Sequence, residues 1–300
     1  MTIQDRINKL KKEKDAIILA HYYVEGEVQD IADYVGDSYY LSKIAAEAKQ
    51  QTIVFCGVSF MGESAKILNP QKTVLMPDEK ADCPMAHMAS EEKIKELKKQ
   101  IPDLAVVCYI NSTAKLKSFS DVIVTSANVV KIVKALPNKH IYFIPDKNLG
   151  NYVSKQIPEK KFIFNDGGCP IHEKVQVEKV KETKAKHPGV KMLAHPECTE
   201  EVLAHADYIG STTGIIDYAT NTPDNEYIIC TEKGVLHELQ KQNPKKRFYM
   251  AAPMCCDDMK FITLEKVYQV LKTGTNEVHV DEEIAKKALI PLQRMLDLSK

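Results

Sequence analysis

The amino-acid sequence predicts an α/β protein of three homologous three-layer αβα domains, with parallel sheets arranged about a pseudo-threefold axis. Short apolar runs rich in Val, Ile and Phe alternate with amphipathic stretches along the 300 residues. This alternation is typical of parallel sheets with helices on both faces. Cys83, Cys169 and Cys256 are almost evenly spaced, at intervals of 86 and 87 residues. Such even spacing indicates an internal repeat.

The segments around these cysteines repeat in the same order in all three units. An apolar run that ends in polar side chains opens each unit, at residues 17–23, 106–111 and 191–197. A second run ends in a hydroxyl residue, at 32–38, 120–126 and 206–212. Two further runs close each unit, at 52–55 with 72–76, 140–144 with 161–164, and 226–229 with 247–250. An amphipathic stretch joins the closing runs, which predicts a β/α unit with a cysteine after its last strand.

The repeat also predicts the limits of the units and the place of the site. We expect units at residues 1–84, 85–170 and 171–260, followed by a tail, 261–300, that forms two helices packing back on the first unit. The tail helices would show the same apolar face if they formed a dimer contact instead of packing on the first unit. Ligands of parallel sheets bind beyond the carboxyl ends of the strands. The polar residues that follow the apolar runs are therefore expected to face one shared centre.

Charge and composition exclude several classes of protein. The chain carries 41 basic and 41 acidic side chains, so its charge does not direct it to nucleic acid. Residues 1–12 lack the apolar centre of a secretory signal, and no apolar stretch approaches membrane-spanning length. We expect a cytoplasmic protein with no membrane partner. A solute-binding protein would normally carry a secretory signal, and a nicotinamide-dependent oxidoreductase would carry a G-x-G-x-x-G motif after a strand. The sequence shows neither feature, which argues against both classes.

The chain has eight cysteines, which a reducing compartment keeps as thiols available for metal binding or catalysis. Cys56, Cys108 and Cys230 lie inside apolar runs, where cysteine behaves as a small hydrophobe. Cys198 could be either a core residue or a functional one. Cys255 and its neighbour Cys256 are alternatives for the repeated cysteine position. The chain has no closely spaced cysteine pair of the kind that zinc ribbons use.

The three evenly spaced cysteines lie in loops with glycine, proline or aspartate neighbours. Three thiolates on three loops suit a soft-metal site, in particular a four-iron cluster with one iron that has no protein ligand. The alternative is that these cysteines only pack against neighbouring residues and recur because the unit was duplicated.

An ordered series of motifs over nearly the whole chain resembles the quinolinate synthase family. The matching segments are residues 18–23, 28–33, 36–38, 65–70, 83–86, 109–114, 125–128, 145–149, 169–172 and 195–198, and Cys256 ahead of residues 259–260. One departure is Tyr22, which stands where the family's His-Asn-Tyr sequence has asparagine. The doublet Cys255-Cys256 is a second, and Cys256 keeps the family's distance to residues 259–260.

The resemblance implies three α/β domains around a central cleft and a condensation of iminoaspartate with dihydroxyacetone phosphate. Loss of phosphate and water then gives quinolinate, for de novo NAD biosynthesis. It also implies one 4Fe-4S cluster on Cys83, Cys169 and Cys256, with one open iron as a Lewis acid, and a functional link to an L-aspartate-oxidising enzyme. A monomer and a homodimer both remain open. An iron-sulfur dehydratase of another small carboxylate is the alternative activity.

Site residues are predicted from this chemistry together with their positions after the apolar runs. The predicted catalytic residues are His21, Tyr23, Tyr109, His172 and Glu197. The predicted substrate-binding residues are His21, Ser38, Tyr109, Asn111, Ser126, His195, Glu197, Ser211 and Thr212. The hydroxyl residues are expected to bind anions at helix starts, although simple N-caps would have the same sequence. Glu197 is the expected general base, with a pKa raised by a closed cleft.

Overall fold

The computed structural model describes residues 1–300 and contains three parallel four-stranded sheets. In each sheet the strand order is second, first, third, fourth, and every neighbouring pair is parallel. The predicted fold class is thereby confirmed. The strands are β1 Ala16–His21, β2 Tyr34–Gly36, β3 Thr52–Cys56, β4 Thr73–Leu75, β5 Leu104–Tyr109, β6 Val122–Val124, β7 His140–Ile144, β8 Lys161–Phe164, β9 Lys191–Ala194, β10 Tyr208–Ile209, β11 Glu226–Cys230 and β12 Arg247–Met250.

Helices connect the strands and continue beyond the last one. The helices of the first two units are α1 Ile3–Glu13, α2 Gly26–Ile31, α3 Ser38–Glu47, α4 Ser59–Leu68, α5 Glu91–Gln100, α6 Ala114–Lys117, α7 Val129–Ala135 and α8 Lys147–Gln156. The later ones are α9 Pro170–Glu173, α10 Val177–Lys186, α11 Glu200–Leu203, α12 Thr212–Asn221, α13 Val235–Gln242, α14 Asp257–Lys260, α15 Leu264–Thr273 and α16 Glu282–Leu298. A 3₁₀ turn, Pro84–His87, follows Cys83.

The first strand of each sheet is central and almost fully buried. In β1 and β5 every residue is buried, because helices cover both faces of the sheet. The chain runs first to one side of this strand and then back across it, and crossovers between parallel strands are right-handed as a rule. The connecting helices therefore lie on opposite faces, and all strands of a sheet end on the same edge. That edge carries the polar residues that follow the strands.

The apolar core is continuous across the first two sheets but separate in the third. One cluster of 59 buried residues includes strands of both early units together with residues of α15 and α16. The third sheet has two clusters of its own, with 11 and 9 buried residues. The third unit meets the first both through Tyr22, which packs in the smaller of these clusters, and through the hydrogen bonds of Tyr23 with Thr212 and Thr231.

The tail lies across two units. α15 packs on α1, as the sequence predicts, whereas α16 packs against α4, α6, α7 and β6. The 17-residue helix α16 is long enough to reach from the first unit to the second, where it buries Ala288, Leu292 and Met295. The exact limits of the three units stay a prediction. None of the helices is both long and apolar enough to cross a membrane.

Candidate active site at the strand ends of three sheets

The three evenly spaced cysteines occupy the same structural position in their units. Cys83, Cys169 and Cys256 are each the N-cap residue of a short helical turn that follows the last strand of the unit. Their backbones are extended, so each thiol is turned out of the helical turn at its start. All three side chains line the same cavity.

Buried carboxylates hold two of these cysteine loops. The backbone N–H of Cys169 donates to Asp146 Oδ2 at 3.2 Å, and that of Cys256 donates to Glu232 Oε1 at 3.2 Å. Asp146 and Glu232 are 0 % and 1 % exposed. Each stands two residues beyond the third strand of its sheet, so the repeat places both at the same point. The third loop lacks this carboxyl group, because Val58 occupies the corresponding position of the first unit.

Nearly all predicted site residues line this cavity. Beside the cysteines they are His21, Tyr23, Ser38, Tyr109, Asn111, Ser126, His172, His195, Glu197 and Thr212. Ser211 is the exception. Its Oγ accepts the backbone N–H of Gly214 at 3.1 Å, which makes it the N-cap of α12. Because a hydroxyl that accepts a capping N–H can still donate its own proton, a contact of Ser211 with substrate stays a prediction.

Glu197 lies at the centre of the polar wall between two imidazoles. Its Oε2 is 2.9 Å from His172 Nδ1 and 3.4 Å from His195 Nδ1, and the residue is 4 % exposed. Burial alone would raise the pKa of this carboxyl, but the two histidines outweigh it and hold the pKa well below its usual value. The expectation of a raised pKa is therefore wrong. The sequence did not show that two imidazoles face the same carboxylate.

His21 is a neutral side chain with a defined hydrogen-bond direction. Its Nδ1 accepts the backbone N–H of Tyr23 at 3.2 Å, so the ring proton resides on Nε2. Burial lowers the pKa of His21 to about 3, against a weaker opposing effect of Glu197. His21 therefore offers the cavity a neutral N–H donor.

Two tyrosines face Glu197 from different sheets. The hydroxyl of Tyr23 is 2.9 Å from Thr212 Oγ1 and 2.7 Å from Thr231 Oγ1, which ties the first unit to the third. Burial, and then the charge of Glu197, raise the pKa values of Tyr23 and Tyr109 well above normal. Both phenols are thus protonated and able to donate.

The remaining polar residues of the cavity include uncharged donors and acceptors beside the acidic residues Asp37, Glu232 and Asp258. Ser126 Oγ is 3.1 Å from His195 Nε2. Ser38 is the first residue of α3, whose N-cap is Asp37. The Oδ1 of Asn111 is buried in the cavity wall without a hydrogen-bond partner. A buried amide oxygen without a partner is costly, and it is satisfied once a ligand donates to it.

The other cysteines divide as their positions predict. Cys56, Cys108 and Cys230 are fully buried in strands or at their ends, which confirms them as core residues. Cys198 is also buried, and its Sγ is 3.7 Å from that of Cys230. Cys255 does not line the cavity, whereas Cys256 does.

Three residues around the site were not predicted: Thr231, Glu232 and Lys260. Lys260 Nζ donates to the carbonyl oxygen of Tyr23 at 2.7 Å and lies 3.2 Å from Glu232 Oε1. The pair therefore joins the Tyr23 loop of the first unit to the Cys256 loop of the third. Thr231 and Glu232 directly follow an apolar run, and that position was the available signal.

Comparisons with known proteins agree with this architecture. The family model described as "Quinolinate synthetase A protein" matches residues 5–297. A quinolinate synthase of Fusobacterium nucleatum is 54% identical over 297 residues, covering 99% of both chains. One of Clostridioides difficile is 53% identical over 296 residues, covering 98% of this chain and 97% of its own. One of Sulfurihydrogenibium is 52% identical over 299 residues, covering 97% of each.

Proposed function

Since the chain belongs to the quinolinate synthetase A family, we propose that it condenses iminoaspartate with dihydroxyacetone phosphate, losing phosphate and water, to form quinolinate. The observation that carries the proposal is the convergence of three cysteines and a set of neutral and acid–base side chains on one cavity. Substrates with two carboxylates and a phosphate need many donors. The cavity offers them from all three sheets.

The residues fit a four-iron four-sulfur cluster better than a single ion held by the three cysteines. Sulfurs bound to one zinc ion lie within about 4.6 Å of one another, twice the zinc–sulfur distance. The three cysteine sulfurs do not form such a close group, although they line the same cavity. Cys83, Cys169 and Cys256 would hold the cluster, and with three protein ligands it supplies one iron that can act as a Lewis acid.

Burial raises the pKa values of all three ligand thiols, that of Cys256 to about 11. The thiols are therefore protonated until metal takes the place of their protons. Cluster insertion should release protons and should need reduced cysteines, and all eight cysteines are free. This requirement supports the proposal that the enzyme works in the cytoplasm.

We assign acid–base roles from the geometry of Glu197 and its neighbours. Glu197 is ionised and accepts the carbon-bound proton, while His172 and His195 orient it and can share that proton. Tyr109 and Tyr23 are protonated phenols that donate to a developing enolate or to a departing hydroxyl. Each of these side chains is fixed by packing or by a hydrogen bond, so little reorganisation accompanies the reaction.

Substrate anions are bound by neutral donors. We propose His21, Ser38, Asn111, Ser126, His195 and Thr212 for this role. The N-termini of α3 and α12 add the positive ends of two helix dipoles. Binding without fixed positive charge leaves the anionic product free to dissociate.

The proposal is tested by product formation. Anaerobically prepared, iron-loaded protein is mixed with dihydroxyacetone phosphate and with iminoaspartate generated by an L-aspartate-oxidising enzyme, and quinolinate is measured by chromatography and mass. We expect quinolinate from the wild type. Tyr109→Phe should keep its iron but lose roughly 10²- to 10⁴-fold in turnover. Glu197→Gln should also lose most of its turnover.

The outcomes separate the parts of the proposal. Iron-loaded protein that forms no quinolinate would show that the substrate is another small carboxylate. Unchanged turnover in Tyr109→Phe would remove that phenol from the mechanism. Gel filtration with light scattering, run on the same samples, distinguishes the monomer from the homodimer.

A further inference from the structure

Three donor atoms of different chemistry lie close together in the wall of the cavity. His172 Nδ1 is 3.2 Å from Cys169 Sγ and 2.9 Å from Glu197 Oε2, and the three atoms all lie within 4.8 Å of one another. His172 and Glu197 are 1 % and 4 % exposed. One thiol, one imidazole and one carboxylate thus meet in a buried wall of the cavity.

These separations are close to those of a single tetrahedral zinc ion. Zinc binds sulfur at about 2.3 Å and nitrogen or oxygen at about 2.0–2.2 Å, which places neighbouring ligand atoms about 3.4–3.6 Å apart. The observed distances to His172 Nδ1 differ from these values by about 0.5 Å or less. A thiolate and a carboxylate also balance the two charges of the ion, so the occupied site is neutral, as a buried site requires.

The hydrogen bonds around His172 suit metal binding. Its other ring nitrogen, Nε2, is 3.1 Å from Thr231 Oγ1. When Nε2 carries the proton and donates it to Thr231, the lone pair of Nδ1 is free for a metal. Metal-binding histidines are oriented in this way by a partner of the second nitrogen. The N–H of Cys169 is likewise fixed by Asp146.

We propose that the cluster-free protein binds one zinc ion through Cys169, His172 and Glu197, in a site to which Cys83 and Cys256 contribute nothing. Binding releases the proton of the Cys169 thiol, and a water molecule completes the coordination. The inference goes beyond the proposed function and rests only on these three side chains. Because Cys169 is needed for both, zinc and the iron-sulfur cluster exclude each other.

Cobalt titration of the full chain tests the site. Anaerobic cluster-free protein is titrated with Co²⁺, which reports four-coordinate binding by visible d–d bands and thiolate binding by a near-ultraviolet charge-transfer band. We expect one Co²⁺ per chain, displaced by one Zn²⁺. Thr231→Val should weaken binding by roughly tenfold, because it removes the hydrogen bond that orients His172.

Cysteine variants provide the matched controls. Cys169→Ser should lose the charge-transfer band, whereas Cys83→Ser and Cys256→Ser should keep it. A full band in Cys169→Ser, or its loss from all three variants alike, would overturn the proposal. Circular dichroism spectra of the variants establish that each one is folded.

X-ray absorption at the zinc edge gives a test on the wild-type chain alone. The proposal predicts one sulfur and two or three lighter ligand atoms around zinc. Three sulfurs would instead mean that the cysteines converge on one ion. Neither measurement uses iron or the condensation reaction, so failure here leaves the proposed function untouched, and failure to form quinolinate leaves this site untouched.

Discussion

The loops that carry Cys169 and Cys256 are held by buried carboxyl groups, whereas the loop of Cys83 is held by the partly exposed Asp82. In the second and third units, Asp146 and Glu232 accept a hydrogen bond from the backbone N–H of the cysteine. Both are buried and lie two residues beyond the third strand of their unit. In the first unit the same position is Val58, a buried apolar residue of the cavity wall. The cysteine is thus repeated in every unit, but the buried carboxyl group that binds its backbone N–H is not.

The first loop uses a partly exposed substitute. Asp82, which directly precedes Cys83, accepts from Ser59 and contacts His87 Nε2 at 2.7 Å. The side chains of Asp82 and His87 are 42% and 56% exposed. Water can replace these hydrogen bonds at little cost, so changes here should matter less than changes to Asp146 or Glu232.

The largest effect is expected for Glu232→Gln. The change removes the charge that faces Lys260 and one acceptor for the Cys256 N–H. We expect a loss of about 1–3 kcal/mol in stability, since a nearly buried ammonium loses its buried carboxylate partner. At about 2–4 °C per kcal/mol, the thermal midpoint should fall by several degrees.

Glu25→Gln is the matched control for that change. Glu25 also lies near Lys260, at 3.6 Å, but it is 48% exposed. Its replacement should cost less than about 1 kcal/mol. Equal thermal midpoints in the two variants would show that burial of Glu232 is not what matters.

A smaller effect is expected for Asp146→Asn. The amide keeps one oxygen for the helix N–H of Leu149 but turns an N–H₂ group toward the N–H of Cys169. No buried cation loses its partner. We expect iron to be released to a chelator roughly tenfold faster than in the wild type, the size of effect seen for residues that orient metal ligands. A rate equal to that of the wild type would remove Asp146 from the support of the site.

The smallest effect in a supporting residue is expected for Asp82→Asn. The amide oxygen can still accept from Ser59, and water reaches the remainder of the side chain. Stability should change by less than about 1 kcal/mol, and iron release should stay close to the wild-type rate. If Asp82→Asn released iron as fast as Asp146→Asn, the contrast between the loops would be lost.

No effect on iron content is expected for Cys255→Ser. Cys255 does not line the cavity, and its Sγ is 3.9 Å from Asp257 Oδ1. Cys256→Ser in the same loop should lose the iron. Iron content measured on both variants decides which member of the doublet is the ligand.

The fold was predictable because the repeat supplies the same pattern three times. Apolar runs at a fixed spacing are sufficient to predict three parallel sheets, and a cysteine after each last strand is sufficient to predict a shared cavity. The path of α16 over the second unit was not predictable. The apolar face of α16 indicates that the helix is buried on one side, but it does not show which surface the helix packs against.

The residues that support the site were harder to predict than those that line it. Glu232 and Lys260 act through contacts between the first and third units, more than 200 residues apart for Lys260 and the Tyr23 carbonyl. No local pattern records such a contact. The pKa of Glu197 was mispredicted for the same reason, because His172 reaches it from a different loop.

Iron and acid-labile sulfide, counted per chain in protein prepared without oxygen, test the central claim most directly. The account predicts about four irons and four sulfides in the wild type and in Cys56→Ala, whose cysteine is buried in a strand. It predicts their loss in Cys83→Ala. A wild type that holds no sulfide after it has been supplied with iron and sulfide, or a full cluster in Cys83→Ala, would contradict the assignment of a cluster held by the three repeated cysteines.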